Sequence, residues 1–270
     1  MTRKATSSIP SLDGAQLKVG RAREHIDALE AETAHFVNDS GAYEFYTEPD
    51  PETDGVIAKI HVHGTPPVHL ALVAGDVVHN LRSALDHLVW QVGIADNKHV
   101  SSRSQWPIVM DGKNWPSEAG DRLALLSPPH VEAIRLLQPF ADMRDNSPGV
   151  MLGMLGMLGM LGALSNRDKH RLPLLVAAAA RTGQLTFDPA VRRVTITRVG
   201  DGPIELVEGA ELVRIHGGRS RTGIVSAEGL FQIVVAYGHR DGPTVKNLRD
   251  LADLIVGIIA TFALDLATAT

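Results

Sequence analysis

Residues 68–94 read VHLALVAGDVVHNLRSALDHLVWQVGI, and the architecture follows from how this stretch divides. At 100° per residue, Leu70, Ala74, Val77, Leu81, Ala84, Leu85, Leu88 and Val92 share one side, which predicts a long helix packed on a core. The other side carries two polar rows. One is His69, Asp76, Asn80, Ser83 and His87; the other is His79, Arg82, Asp86 and Trp90. An ordinary exposed face uses Lys and Glu, which favour helix, whereas Asn, Asp, Ser and His do so less. Such residues in mid-helix indicate bonding partners. They either close an internal polar network, with Arg82 and Asp86 at i,i+4, or line a ligand site.

Working outward, Leu12 to Asn38 repeats Leu17, Ala22, Ile26, Leu29 and Phe36 with charges between them, an amphipathic helix. Ala42 to Thr47 and Val56 to Val62 have strand composition and are joined as a hairpin by the Pro-, Asp- and Gly-rich stretch 48–55. Residues 95–122 read as irregular, with Trp106-Pro107 and Trp115-Pro116 as packed loop anchors. Ser127-Pro128-Pro129 opens a short helix through Leu137. Four tandem Met-Leu-Gly triplets then run from Met151 to Gly162. A period of three drifts about 60° per triplet against the helix, so no face is expected to stay apolar. A strained helix and an apolar loop remain the two readings, and slippage of a short coding repeat explains the triplets without a function. The polar knot Asn166 to Arg171 is expected to start a helix through Ala180.

From Gln184 the texture changes to strands: Leu185 to Phe187, Val191 to Val199, Ile204 to Val207, Glu211 to Ile215 and Leu230 to Ala236. Val245 to Ala267 closes the chain as a helix. Strands flanked by helices without regular β-α alternation indicate an α+β fold, long helices packed with a mainly antiparallel sheet. The chain is read as one domain over 1–270: helix-rich 1–183, strand-rich 184–243, closing helix 244–268. The early hairpin is free to join the later sheet.

Composition narrows the function. The 270 residues carry a net charge of −5, 44% hydrophobic and 21% charged residues, and no cysteine. This excludes wholesale disorder, disulfides, thiolate metal sites and a cysteine nucleophile. Mild acidity argues against a protein that coats nucleic acid, though a local basic site is compatible with it. Arg3 and Lys4 precede no apolar run, and the longest apolar stretches fall short of the roughly 20 residues a bilayer needs. A soluble, cytoplasmic protein is expected, with no membrane partner.

Two resemblances add to this reading. Arg82-Ser83-Ala84-Leu85-Asp86-His87 resembles the Arg-x4-His signature of the HEPN superfamily, helical proteins that include many metal-independent RNases. The resemblance implies Arg82 and His87 in a cleft, commonly completed by a second subunit as a homodimer. Histidine suits abstraction of a 2′-hydroxyl proton, and arginine suits a phosphate on which charge builds. Ser83 departs from the larger polar residue, often Asn, that usually follows the arginine. More broadly, Asn80 to Leu88, Trp106-Pro107-Ile108 and Asn166 to Arg171 resemble a family of uncharacterised bacterial proteins with NLRSALDHL and NxDKHR motifs, which implies no activity.

Lys169, His170 and Arg171 at a helix start would sit unfavourably on its positive dipole end unless an anion lies near. The knot is therefore expected to face the polar side of the 68–94 helix, with Asp168 orienting His87 or pairing with Arg82. The candidate catalytic residues are Arg82, His87, Asp168 and His170, and the candidate ligand-binding residues are Asn80, Asp86, Lys169 and Arg171. RNA or a nucleotide is the expected partner. No cofactor is expected. His61, His63 and His69 lack a carboxylate nearby in sequence, so no metal site is expected either. Three functions stay open: a metal-independent RNA endonuclease, a non-catalytic nucleotide or anion binder, and a structural protein with an internally satisfied network.

Overall fold

The computed structural model describes residues 10–96, 100–141, 150–168, 175–181, 186–187, 195–198, 204–216, 224–226, 231–237 and 243–268. Only the backbone is described for 150–155, 167–168 and 264–268, and for the strands within 175–198, 224–226 and 231–237 apart from Ala236. The fold is α+β. Its contacts divide into two compact units, Met1–Asp27 with Val73–Leu172 and Lys246–Thr270, and Ala28–Leu72 with Pro173–Val245.

The first unit is helical. Its long helices belong to α1 (Asp13–Asp39), α2 (His69–Ala95) and α6 (Val245–Thr268). The apolar positions read from the sequence do face inward: Ala22 and Ile26 on α1, and Val77, Leu81, Ala84, Leu85, Leu88 and Val92 on α2, are fully or almost fully buried. Leu17 is the exception on α1, 74% exposed. Arg23 pairs with Asp253 at 2.5 Å and Arg249 with Asp27 at 2.8 Å, which sets α1 and α6 antiparallel. None of the helices among the described residues is long and apolar enough to cross a membrane.

Within 95–122 the structure adds order that the sequence reading lacked. A 3-10 turn (Gly112–Asn114) leads into α3 (Trp115–Leu123), with Pro116 in its first turn. Proline there loses no helical hydrogen bond, so Trp115-Pro116 starts a helix instead of anchoring a loop. α4 (Pro128–Leu136) follows Ser127 as expected.

The Met-Leu-Gly repeat lies in a helix, α5 (Val150–Asp168). One face does stay buried: Leu158, Leu161 and Ser165, at the i,i+3,i+7 spacing of a packed seam. The triplet drift is absorbed because the glycines are used on a different side. A Cβ at Gly159 would lie 2.6 Å from Met110 Sδ, and one at Gly162 would lie 3.2 Å from Ile108 Cγ2. These two glycines let residues 108–110 approach the helix.

The helix expected through Ala180 is a strand, β3 (Leu175–Arg181). Leu-Val-Ala-Ala-Ala-Ala-Arg has helical propensity by composition, but its pairing with the strand Phe231–Tyr237 along seven residues overrides that.

The second unit is built on antiparallel pairing throughout the described strands. β1 (Tyr43–Pro49), β2 (Val56–Val62), β7 (Glu211–His216) and β5 (Thr195–Arg198) form one sheet in the order β1-β2-β7-β5. The early hairpin thus joins the later strands. β6 (Ile204–Glu205), β3 and β9 (Phe231–Tyr237) form a second sheet, and β4 (Thr186–Phe187) pairs β8 (Ile224–Ser226). Ile60, Leu206 and Leu212 make a small core under the first sheet. Gly55 ends the hairpin loop where a Cβ would lie 2.0 Å from the Ile215 carbonyl oxygen, so only glycine fits.

Candidate functional site

Residues 104–110 run without regular secondary structure, yet Trp106 and Val109 are fully buried. Buried irregular backbone must find partners outside a helix or ladder, because an unpaired peptide group out of water costs about 1–3 kcal/mol. α2 supplies them. The Asp86 carboxylate accepts from the Trp106 amide at 2.9 Å, and the Arg82 guanidinium donates to the Trp106 carbonyl. Arg82 and Asp86 face each other at 3.4 Å, with side chains 18% and 28% exposed. Burial pushes the Arg82 pKa down; Asp86 opposes that shift and Arg122 adds to it. Three residues on, Gln138 holds Val109: its Oε1 accepts from the Val109 amide at 3.0 Å and its Nε2 donates to the Ile134 carbonyl.

The arginine and aspartate of the Arg-x4-His stretch therefore form a bidentate clamp on one peptide. Asn80, 9% exposed, turns back to donate to the Asp76 carbonyl at 2.8 Å, a bond inside its own helix. His87 lies on the exposed side of α2 against the first turn of α1, where a Cβ at Gly14 would come within 3.0 Å of its Nδ1. Ser11 of that turn donates its amide to Gln91 at 3.0 Å. Arg82 thus points to the Trp106 segment and His87 to α1, consistent with the roughly 140° between positions five apart on a helix.

Asp168 is the last residue of α5, and its side chain lies outside the described residues, as do Lys169, His170 and Arg171. The expected contacts of Asp168 with His87 or Arg82 are thus not among the described ones. The helix expected to start in this knot instead ends within it, at Asp168.

Two polar clusters escaped the sequence reading. Asp96, at the end of α2, accepts from the Ser127 amide at 2.7 Å and pairs with His130 Nδ1 at 2.9 Å, while Ser127 Oγ lies 3.0 Å from the same Nδ1. Serine, histidine and aspartate together suggest a nucleophilic triad. A relay, however, needs the serine and the carboxylate on different ring nitrogens, and here both meet one. The trio instead ties the start of α4 to the end of α2. Burial alone would raise the Asp96 pKa, but the Ser127 amide and His130 together hold it below the usual range.

In the strand-rich unit, Glu208 accepts from the Val62 amide and from His61, both at 2.7 Å, and Glu44 stands 3.4 Å from His63. His61 and His63 do have carboxylates at hand, contrary to the sequence expectation, because residues 208 and 44 reach β2 from its two sides. Each carboxylate is engaged with a different ring. Among the described residues, no three His, Asp or Glu groups stand where they could hold a metal. Asp50, its side chain fully buried, anchors the hairpin loop through the Glu52 amide at 3.0 Å and Thr53 Oγ1 at 2.9 Å, with Arg214 and His216 beside it.

No family model, curated protein or solved structure matches the chain.

Proposed function

We propose that this chain is a non-catalytic protein whose α2 polar cluster serves its architecture, and that it is not an RNA endonuclease. One observation carries the reading: the Arg82 guanidinium, which an RNase would turn to a phosphate, donates to the Trp106 carbonyl while Asp86 takes the amide of the same residue. Withdrawing Arg82 for a substrate would strand the Trp106 carbonyl and remove the guanidinium that faces Asp86 at 3.4 Å. The two bonds from α2 to the Trp106 peptide support the reading of the polar face as a structural network.

The test is incubation of single-stranded and structured RNA with the protein in EDTA, alongside thermal melts with and without nucleotides. We expect intact RNA and unmoved melting temperatures. Cleavage that His87→Ala removes, in a variant with an unchanged denaturation midpoint, would overturn the proposal in favour of the HEPN-like nuclease.

A further inference from the structure

Met110 is an exposed thioether set into a helix. The residue is 57% exposed. Even so, its Sδ and Cε lie 2.6 and 2.9 Å from where a Cβ of Gly159 would stand, with Pro139 at the edge of the same notch. The methionine end therefore occupies the space that the repeat leaves on α5 by having glycine there. Along the same segment, Ile108 rests over Gly162. Two of the repeat's glycines thus receive Ile108 and Met110, and the second of these contacts is made by a residue 57% exposed.

We propose that Met110 is a peroxide-sensitive latch between α5 and the 104–110 segment. A hydroperoxide gives one oxygen to the thioether: a sulfur lone pair forms the S–O bond, the O–O bond breaks, and the hydroperoxide leaves as water or an alcohol. Sulfur loses two electrons and the peroxide gains them. The sulfoxide is polar and needs hydrogen-bond donors. The amides of α5 around Gly159 offer none, because they are used within the helix. The oxidised side chain swings to water and gives up its contact with α5, while Ile108 over Gly162 keeps the segment in place. Methionine sulfoxide reductases reverse the oxidation, so the latch resets. Met157 and Met160 are half-buried, which leaves Met110 the most exposed residue of the three.

The test is hydrogen exchange on the full chain before and after hydrogen peroxide, with the oxidised position located by peptide mass. We expect one added oxygen on Met110 ahead of Met157 and Met160, and roughly tenfold faster exchange in the amides of 156–164. Met110→Leu, which keeps an apolar end without sulfur, should abolish the response. Gly159→Ala, which fills the notch from the helix side, should abolish it too. A response of equal size in wild type and Met110→Leu, or oxidation of Met110 with unchanged exchange in α5, overturns the proposal.

Discussion

Arg82→Ala is the perturbation that separates a clamp from a catalytic arginine. The truncation removes the charged donor from the Trp106 carbonyl, a bond of a class worth about 1.5–3 kcal/mol. It also leaves Asp86 facing an empty place where the guanidinium stood at 3.4 Å. Complete burial of the pair would put the cost of breaking it at about 3–5 kcal/mol. The two side chains are 18% and 28% exposed, so water reaches both, and a loss of about 2–3 kcal/mol is the better figure. Asp86→Ala strands the Trp106 amide and should cost about 2 kcal/mol. Asp86→Asn keeps an acceptor for that amide and should cost about 1 kcal/mol, a difference traceable to the lost charge. The assay is urea denaturation of the helical unit, read by the fluorescence of fully buried Trp106 and by exchange of its amide. Since both substitutions act on one peptide, the double variant should fall short of the sum of the singles by roughly 1 kcal/mol. Arg82→Ala within about 0.5 kcal/mol of wild type, a size typical of ordinary surface sites, would refute the clamp.

The repeat and the loops offer further tests. A Cβ at Gly156 would meet nothing within 4 Å, so Gly156→Ala should stabilise by about 0.5–1 kcal/mol through helix propensity alone, measured as a higher denaturation midpoint. Gly162→Leu, in the same triplet pattern, must push Ile108 aside and should destabilise by about 1–3 kcal/mol. Gly55→Ala would set a side chain against the Ile215 carbonyl, and the expected readout is loss of β2-β7 protection in exchange or insoluble protein.

Acid should unfold the chain through three carboxyl groups. The Glu52 amide holds Asp50 low, the Val62 amide holds Glu208 low, and the Ser127 amide with His130 holds Asp96 low despite its burial. A folded pKa below the unfolded value gives stability that is complete above the unfolded value, about 4, and is lost as pH falls through the folded one. Denaturation midpoints should therefore drop below pH about 4, and Asp96→Asn should flatten that drop.

Periodicity made α1, α2, α6 and the β1-β2 hairpin legible, because it lies within a single element. The same pattern showed that Arg82 and Asp86 needed partners. It could not name them, because Trp106 is 24 and 20 positions away and its need arises from burial of a segment without regular structure. Glu208 was hidden for the same reason: it meets His61 across 147 positions. The outcomes at α5 and β3 have a different origin. Glycine every third residue left a strained helix and a loop both open, and at Gly159 and Gly162 the helix is packed by Met110 and Ile108. Leu175–Arg181 looks helical until β9 offers it seven pairings. In both places a neighbour distant in sequence decided between two local structures of similar propensity.

The polar face of α2 can now be argued from necessity. Any segment that is buried without a ladder leaves amides and carbonyls to be answered by side chains, and a rigid helix beside it is the place from which to answer them. An aspartate and an arginine one turn apart present one acceptor and one donor at the spacing of a single peptide's N–H and C=O. That arrangement accounts for the arginine of the Arg-x4-His resemblance without catalysis, and for the aspartate that precedes its histidine. His79 and His87, exposed on the same helix, are not required by the clamp. If α2 has a role beyond holding Trp106, it lies with these two histidines. Replacing both by alanine should leave the denaturation midpoint within about 0.5 kcal/mol of wild type, whereas a larger loss would mean that the internal network extends to them.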